Sequence, residues 1–132
     1  MGKSNGISLE KFKEFLLKTH REFMDFLGLP EIDLYFSEEI KINGNCQIAG
    51  EFEPHEFFAF KGECIVLYTK AREGGFLEDY EILGTYLHEV THYHLYMHGR
   101  NPQHSKEFNK RMKIIENKFF EFIEQKKPRK GA

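Results

Sequence analysis

Tryptophan is absent from this chain, cysteine occurs twice, proline four times, and no apolar run is long. Each scarcity excludes something. Two cysteines, Cys46 and Cys64, with no Cys-x-x-Cys pair rule out a disulfide framework and a cysteine-built zinc ribbon. Both thiols are expected to be reduced and partly buried. No stretch approaches the ~20 apolar residues that a membrane-spanning helix needs. The N-terminus also lacks the apolar segment and small-residue cleavage site of a signal peptide. A cytoplasmic protein with no membrane partner is expected. In place of tryptophan, 14 Phe and 6 Tyr supply the bulk of the core. A length of 132 residues allows one domain with a real core and leaves no room for a second module.

A net charge of −2 conceals a strong asymmetry. Residues 1 to 98 hold 9 Lys and Arg against 17 Asp and Glu, a balance of −8; residues 99 to 132 hold 10 against 4, a balance of +6. The basic set comprises Arg100, Lys106, Lys110, Arg111, Lys113 and Lys118, then Lys126, Lys127, Arg129 and Lys130. Such a cluster can neutralise phosphates without reading sequence. It equally describes a solvated helix face followed by a disordered tail.

The hydrophobic periodicity changes twice along the chain. Ser8 is placed to cap a helix whose apolar stripe runs through Leu9, Phe12, Phe15, Leu16, Phe23, Phe26 and Leu27, with Gly28 and Pro30 as its stop. From Ile32 to Thr69 the pattern becomes short extended runs: Asp33 to Phe36, Ile40 to Ile42, Cys46 to Phe52, Phe57 to Phe60 and Cys64 to Tyr68. Gly44, Gly50, Pro54 and Gly62 punctuate them. After a loop from Arg72 to Gly75, a second helix is expected from about Leu77 to His98, stopped by Gly99. A linker through Asn101 and Pro102 leads to a third amphipathic helix carried by Phe108, Met112, Ile115, Phe119, Phe122 and Ile123. The fold class is therefore α+β: an N-terminal helix, a small and mainly antiparallel sheet of three or four strands, then two helices. Residues 1–125 are read as the domain and 126–132 as a short basic tail.

The second helix carries His88-Glu89-Val90-Thr91-His92. Residues four apart on a helix lie about 40° apart around its axis, so His88 and His92 can offer two imidazole nitrogens to one ion. Zinc takes neutral imidazoles as ligands and lowers the pKa of its water towards ~7. A carboxylate must still remove the proton, and Glu89 lies beside the two histidines. A pair of satisfied core histidines is the bland alternative. The apolar repeat of Ile82, Leu83, Tyr86, Leu87, Val90 and Leu95 places the motif on a helix and favours a zinc hydrolase.

A catalytic zinc normally has three protein ligands and one open position. His98 follows His92 by six residues, but Leu95 stands where a chain-turning glycine would be needed, and a continued helix rotates His98 about 240° away. His94 is about 200° away. Glu107 and Glu116 belong to the next helix, and nothing singles either out. His104 has a better claim because it follows the turn and starts the third helix, where the chain can double back. His20 and His55 have no partners at metal spacing and are read as surface or structural.

The HExxH stretch, the continued helix, the short loop and then His104-Ser105-Lys106-Glu107-Phe108 together resemble the SprT-like metalloprotease domain, the catalytic part of Spartan-type proteases. Gly44 to Phe52 is similar to that family's glycine-containing strand region. The resemblance implies a minimal zincin-like fold, with His88, His92 and His104 as ligands of one catalytic Zn2+, Glu89 as general base, and Phe108 as the aromatic that anchors the next helix. It implies cleavage of polypeptides, notably proteins crosslinked to DNA, with DNA as activator. Ser105 departs from the family's usual glycine. The cysteine-rich ribbon and long adaptor-binding tail of many members are not found, so DNA contact falls to the third helix and the basic tail. A monomer is expected. Two other readings keep the metal: a zinc-containing module that binds nucleic acid or protein without proteolysis, and a non-peptide zinc hydrolase. Within sequence reach of the site, Tyr93, Tyr96 and Arg100 are candidates to stabilise the oxyanion.

Overall fold

The computed structural model of the protein describes residues 8–53, 64–100 and 103–126, apart from the side chains of Asn43, Cys46 and Glu53. The expected strand at 57–60, His55, the linker residues Asn101 and Pro102, and residues 127–132 lie outside these. Helix α1 spans Leu9–Leu27 and is followed by β1 (Asp33–Ser37), β2 (Lys41–Asn43), β3 (Cys46–Ile48), β4 (Gly50–Glu53) and β5 (Cys64–Tyr68). Helices α2 (Asp79–Met97) and α3 (Lys106–Lys126) complete it. The class is α+β, as the sequence predicts.

Helix α1 starts and stops where its caps dictate. Ser8 Oγ accepts the Lys11 N–H at 3.3 Å, and Gly28, at φ 74°, lets the Leu29 N–H return to the Met24 carbonyl at 2.9 Å. Its buried face is Phe12, Leu16, Thr19, His20, Phe23 and Met24. Phe15 flanks that face, touching the Phe12 ring but remaining 43% exposed.

Strand β5 is the centre of a three-stranded sheet of order β1-β5-β4. It pairs antiparallel with β4 (Phe52 opposite Ile65) and parallel with β1 (Leu34 opposite Ile65). All five of its residues are buried, which fits an uninterrupted apolar run with both faces covered. Ile65 and Leu67 face the helices, while Cys64, Val66 and Tyr68 pack with Tyr35 and Ile48. The run from Cys46 to Phe52 divides at Ala49 because it serves two partners. Residues 46–48 pair with β2 in a separate hairpin, residues 50–53 pair with β5, and the Ala49 carbonyl between them accepts the Tyr68 N–H at 2.9 Å.

The helices close over one face of this sheet through phenylalanine. Phe23 of α1 meets Phe119 edge-on at 5.1 Å and Phe122 at 5.5 Å, both from α3. Ile82, Tyr86 and Val90 of α2 complete the cluster. Each such buried side chain contributes roughly 1.5–3 kcal/mol. Two tyrosines fix the rotation of α2 within it. His20 Nε2–H donates to the Ile32 carbonyl at 2.6 Å, so its Nδ1 lone pair accepts the Tyr86 hydroxyl at 2.7 Å. Two turns later the Tyr93 hydroxyl donates to the Pro30 carbonyl at 2.8 Å. His20 is thus a structural residue of the core.

Strand β4 lies almost against α2. A Cβ placed on Gly50 would stand 2.5 Å from Thr85 Cγ2, 3.2 Å from Leu67 Cδ2 and 3.3 Å from Glu89 Cγ. Thr85 cannot swing clear at no cost, because its hydroxyl donates to the Glu81 carbonyl at 3.0 Å. Gly50→Ala should therefore destabilise the fold by about 1–3 kcal/mol in urea unfolding. Adding Thr85→Ser, which removes the obstructing methyl, should recover much of the loss; equal stability of Gly50→Ala and the parent would show that the contact is slack.

Candidate metal centre

Helix α2 presents His88 and His92 one turn apart, and its end decides what they meet. Gly99, at φ 68°, closes the helix: the Arg100 N–H returns to the Leu95 carbonyl at 2.9 Å and the Gly99 N–H to the Tyr96 carbonyl at 3.1 Å. The chain then reverses into α3. Ser105 caps that helix, its Oγ accepting the Phe108 N–H at 3.1 Å. The serine standing in place of glycine thus has a structural task.

This reversal carries His104 back onto the HExxH face. Its Nε2 lies 3.0 Å from His88 Nε2 and 3.2 Å from His92 Nε2. Each imidazole offers one atom, and the three atoms fall within 4.8 Å of one another. A ring nitrogen has one lone pair or one N–H, so His104 Nε2 can complete only one linear hydrogen bond here. A cation at the focus would engage all three lone pairs together. Tetrahedral coordination at ~2.0–2.1 Å would set such nitrogens ~3.3 Å apart, close to the spacing found. The donor set fits a borderline metal ion.

Phe108 forms the floor beneath the imidazoles. Its ring centroid is 4.9 Å from that of His88, 4.6 Å from His92 and 5.0 Å from His104. The expected anchor of α3 therefore also contacts every histidine of the group. Glu89, 5% exposed, reaches the same place from the buried side of α2. Together with His88 and His104 it lines a cavity of about 620 Å3. Residues 47–50 form one wall, α2 from Tyr80 to Glu89 the floor, and Met112 stands on the α3 side.

The other candidates are occupied elsewhere. His98 stacks on His94 at 4.4 Å and its Nδ1–H donates to the His94 carbonyl at 2.8 Å, while His94 Nδ1 accepts from Arg111 at 2.6 Å. Glu107 is held by Arg100 at 2.7 Å and by Arg111 at 3.7 Å. Among the described residues, Glu116 does not join the histidine group. Tyr93 is committed to Pro30, Tyr96 packs on Phe52 at 5.5 Å, and Arg100 serves Glu107. Sequence reasoning passed over Tyr80, Gly84, Thr85 and Met112 as cavity residues. Only their helical spacing from His88 and Phe108 could have pointed to them.

Burial, then the neighbouring His92 and His104, lowers the His88 imidazole from 6.5 to about 4. Burial, then His98, Arg111 and Lys118, brings His94 to about 4 as well. Burial also lowers His20, against the pull of the Ile32 carbonyl. Between pH 6.5 and about 4 the unfolded chain therefore binds more protons than the folded one, and stability falls as pH falls. In metal-free buffer the urea midpoint should drop steadily across this window, and His88→Asn should flatten the slope. A profile level from pH 6.5 to 4 would contradict these shifts.

No curated protein and no solved structure matches the chain. The family model described as the SprT-like family matches residues 11–128, a span that takes in α1 but for its first two residues, the sheet, α2 and α3, and the histidine group with Glu89. By that match the chain belongs to the SprT-like family.

Proposed function

We propose that this protein is a zinc-dependent metallopeptidase whose ion is held by His88, His92 and His104, with Glu89 as the general base. One observation carries the reading: three imidazole nitrogens converge at the wall of an open cavity, beside a buried carboxylate from the same helical turn. His88, His92 and His104 would hold the zinc ion, which would supply an acidified water and polarisation of the substrate carbonyl. Glu89 accepts the proton of the attacking water and passes it to the departing amine. Main-chain groups of the strand wall at 47–50 align an extended polypeptide without choosing its sequence. A purely structural zinc would call for a fourth protein ligand, whereas the group among the described residues comprises three histidines.

Proteins attached to DNA are the substrates this reading favours. Lys106, Lys110, Lys113 and Lys118 stand exposed along α3. Other cations are spent internally, Arg100 and Arg111 on Glu107, and Lys126 on Glu22. The exposed lysines, with the tail residues after Lys126, would take the phosphates. In this reading residues 1–125 act as one catalytic unit, a cytoplasmic monomer. Among the described residues no helix is long and apolar enough to cross a membrane.

Two measurements test the proposal. His104→Ala should lose zinc by elemental analysis while His98→Ala keeps it, and the reverse result would overturn the ligand set. Zinc-loaded protein should cleave a protein–DNA conjugate faster when single-stranded DNA is added. Glu89→Gln should keep the metal and fold yet turn over at least ~100-fold more slowly. Turnover by Glu89→Gln at the parent rate would remove the general-base role. Cleavage indifferent to DNA would leave a general peptidase.

A further inference from the structure

Two glycines line the cavity, and packing explains only one of them. Gly50 must lack a side chain because β4 touches Thr85 and Glu89. Gly84 sits inside α2 with an ordinary negative φ, exposed, and a Cβ built on it would meet nothing within 4 Å. Glycine is the weakest helix former after proline, so the fold gains nothing from it there. What Gly84 leaves is space. Tyr80, Gly84 and His88 are spaced four apart and share one line along the helix. The step between the Tyr80 ring and the His88 imidazole is therefore bare.

The surroundings of that gap define what fits it. Three polar side chains nearby form hydrogen bonds within the protein. Gln47 donates to the Lys70 carbonyl at 2.7 Å and accepts the Arg72 N–H at 3.0 Å. Glu81 accepts the Glu78 N–H at 2.9 Å, and the Thr85 hydroxyl donates to the Glu81 carbonyl at 3.0 Å. Apolar surface left open there comes from the ring of Tyr80, which lines the cavity and is 70% exposed. Resting on the peptidase reading above, we propose that Gly84 is a specificity-determining position. The gap it leaves receives a bulky apolar side chain of the polypeptide, next to the bond that is cut.

The test uses the zinc-loaded full chain, a set of fluorogenic peptides differing only in the side chains flanking the scissile bond, and fluorescence anisotropy for binding. Parent protein should prefer Leu and Phe over Ala and Gly. Gly84→Leu should lower kcat/KM for the Leu and Phe peptides by about tenfold or more while largely sparing the Ala and Gly peptides. Zinc content should be unchanged. Gly84→Ala, which adds one methyl, should raise Tm by about 3 °C and shift preference in the same direction but less. An equal fall for every peptide, or no change in preference, would overturn the subsite and leave the peptidase reading standing. Parent protein that neither binds nor cuts any peptide would overturn both.

Discussion

The rotation of α2 about its own axis is the constraint on which the site depends. An error of one residue would turn His88 and His92 by about 100° and bury them. Apolar packing alone is a weak guard against such slippage, since Ile, Leu and Val can exchange places at modest cost. Directional bonds are a better one. Tyr86 bonds to His20 of α1, which in turn holds the Ile32 carbonyl, and Tyr93 bonds to the Pro30 carbonyl, so two hydroxyls seven residues apart tie α2 to α1 and to the short connection after it. A polar group stranded in the core costs about 1–3 kcal/mol, which makes any other rotation expensive. The far side of α2 is then free to carry chemistry.

The same economy of position governs the turn into α3. Gly99 ends one helix, Ser105 starts the next, and Phe108 places its ring under all three imidazoles. The cluster belongs to the interface between two helices, and residues with no metal-binding chemistry decide its shape. The positive charge of the C-terminal third is divided likewise. Part of it braces α3 through Glu107 and Glu22, and the lysines that remain face outward.

Local signals made much of this legible in the sequence. Ser8 and Gly28 bound α1 within one residue of where a cap and a left-handed glycine must sit, and the threefold-fourfold repeat located α2 and α3. The HExxH spacing implied a shared face for His88 and His92; the place of His104 beside them depended on the turn geometry, for which the family resemblance was the stronger guide. Other features were hidden because they arise from distant partners. The parallel match of β1 to β5 leaves no local pattern, and the division at Ala49 follows from which strand each half adopts. Burial of His20 needed Tyr86 and Ile32, far away in sequence. Gly50 read as punctuation, whereas its reason is the side chain of Thr85.

Consider last the order in which such a chain can assemble. Pairing Asp33 with Cys64 closes a loop of about thirty residues before any ladder bond repays the lost entropy. Helices α2 and α3, by contrast, are neighbours along the chain, and their contact is local. Contacts of low sequence separation form soonest. The β2–β3 hairpin and the histidine-bearing helical hairpin are therefore the contacts with little closure entropy to overcome, whereas the three-stranded sheet, with the Gly50 wall of the cavity, carries the larger cost. The turn from α2 into α3 thus sets two things at once, the most local contact between helices and the meeting of the three histidines.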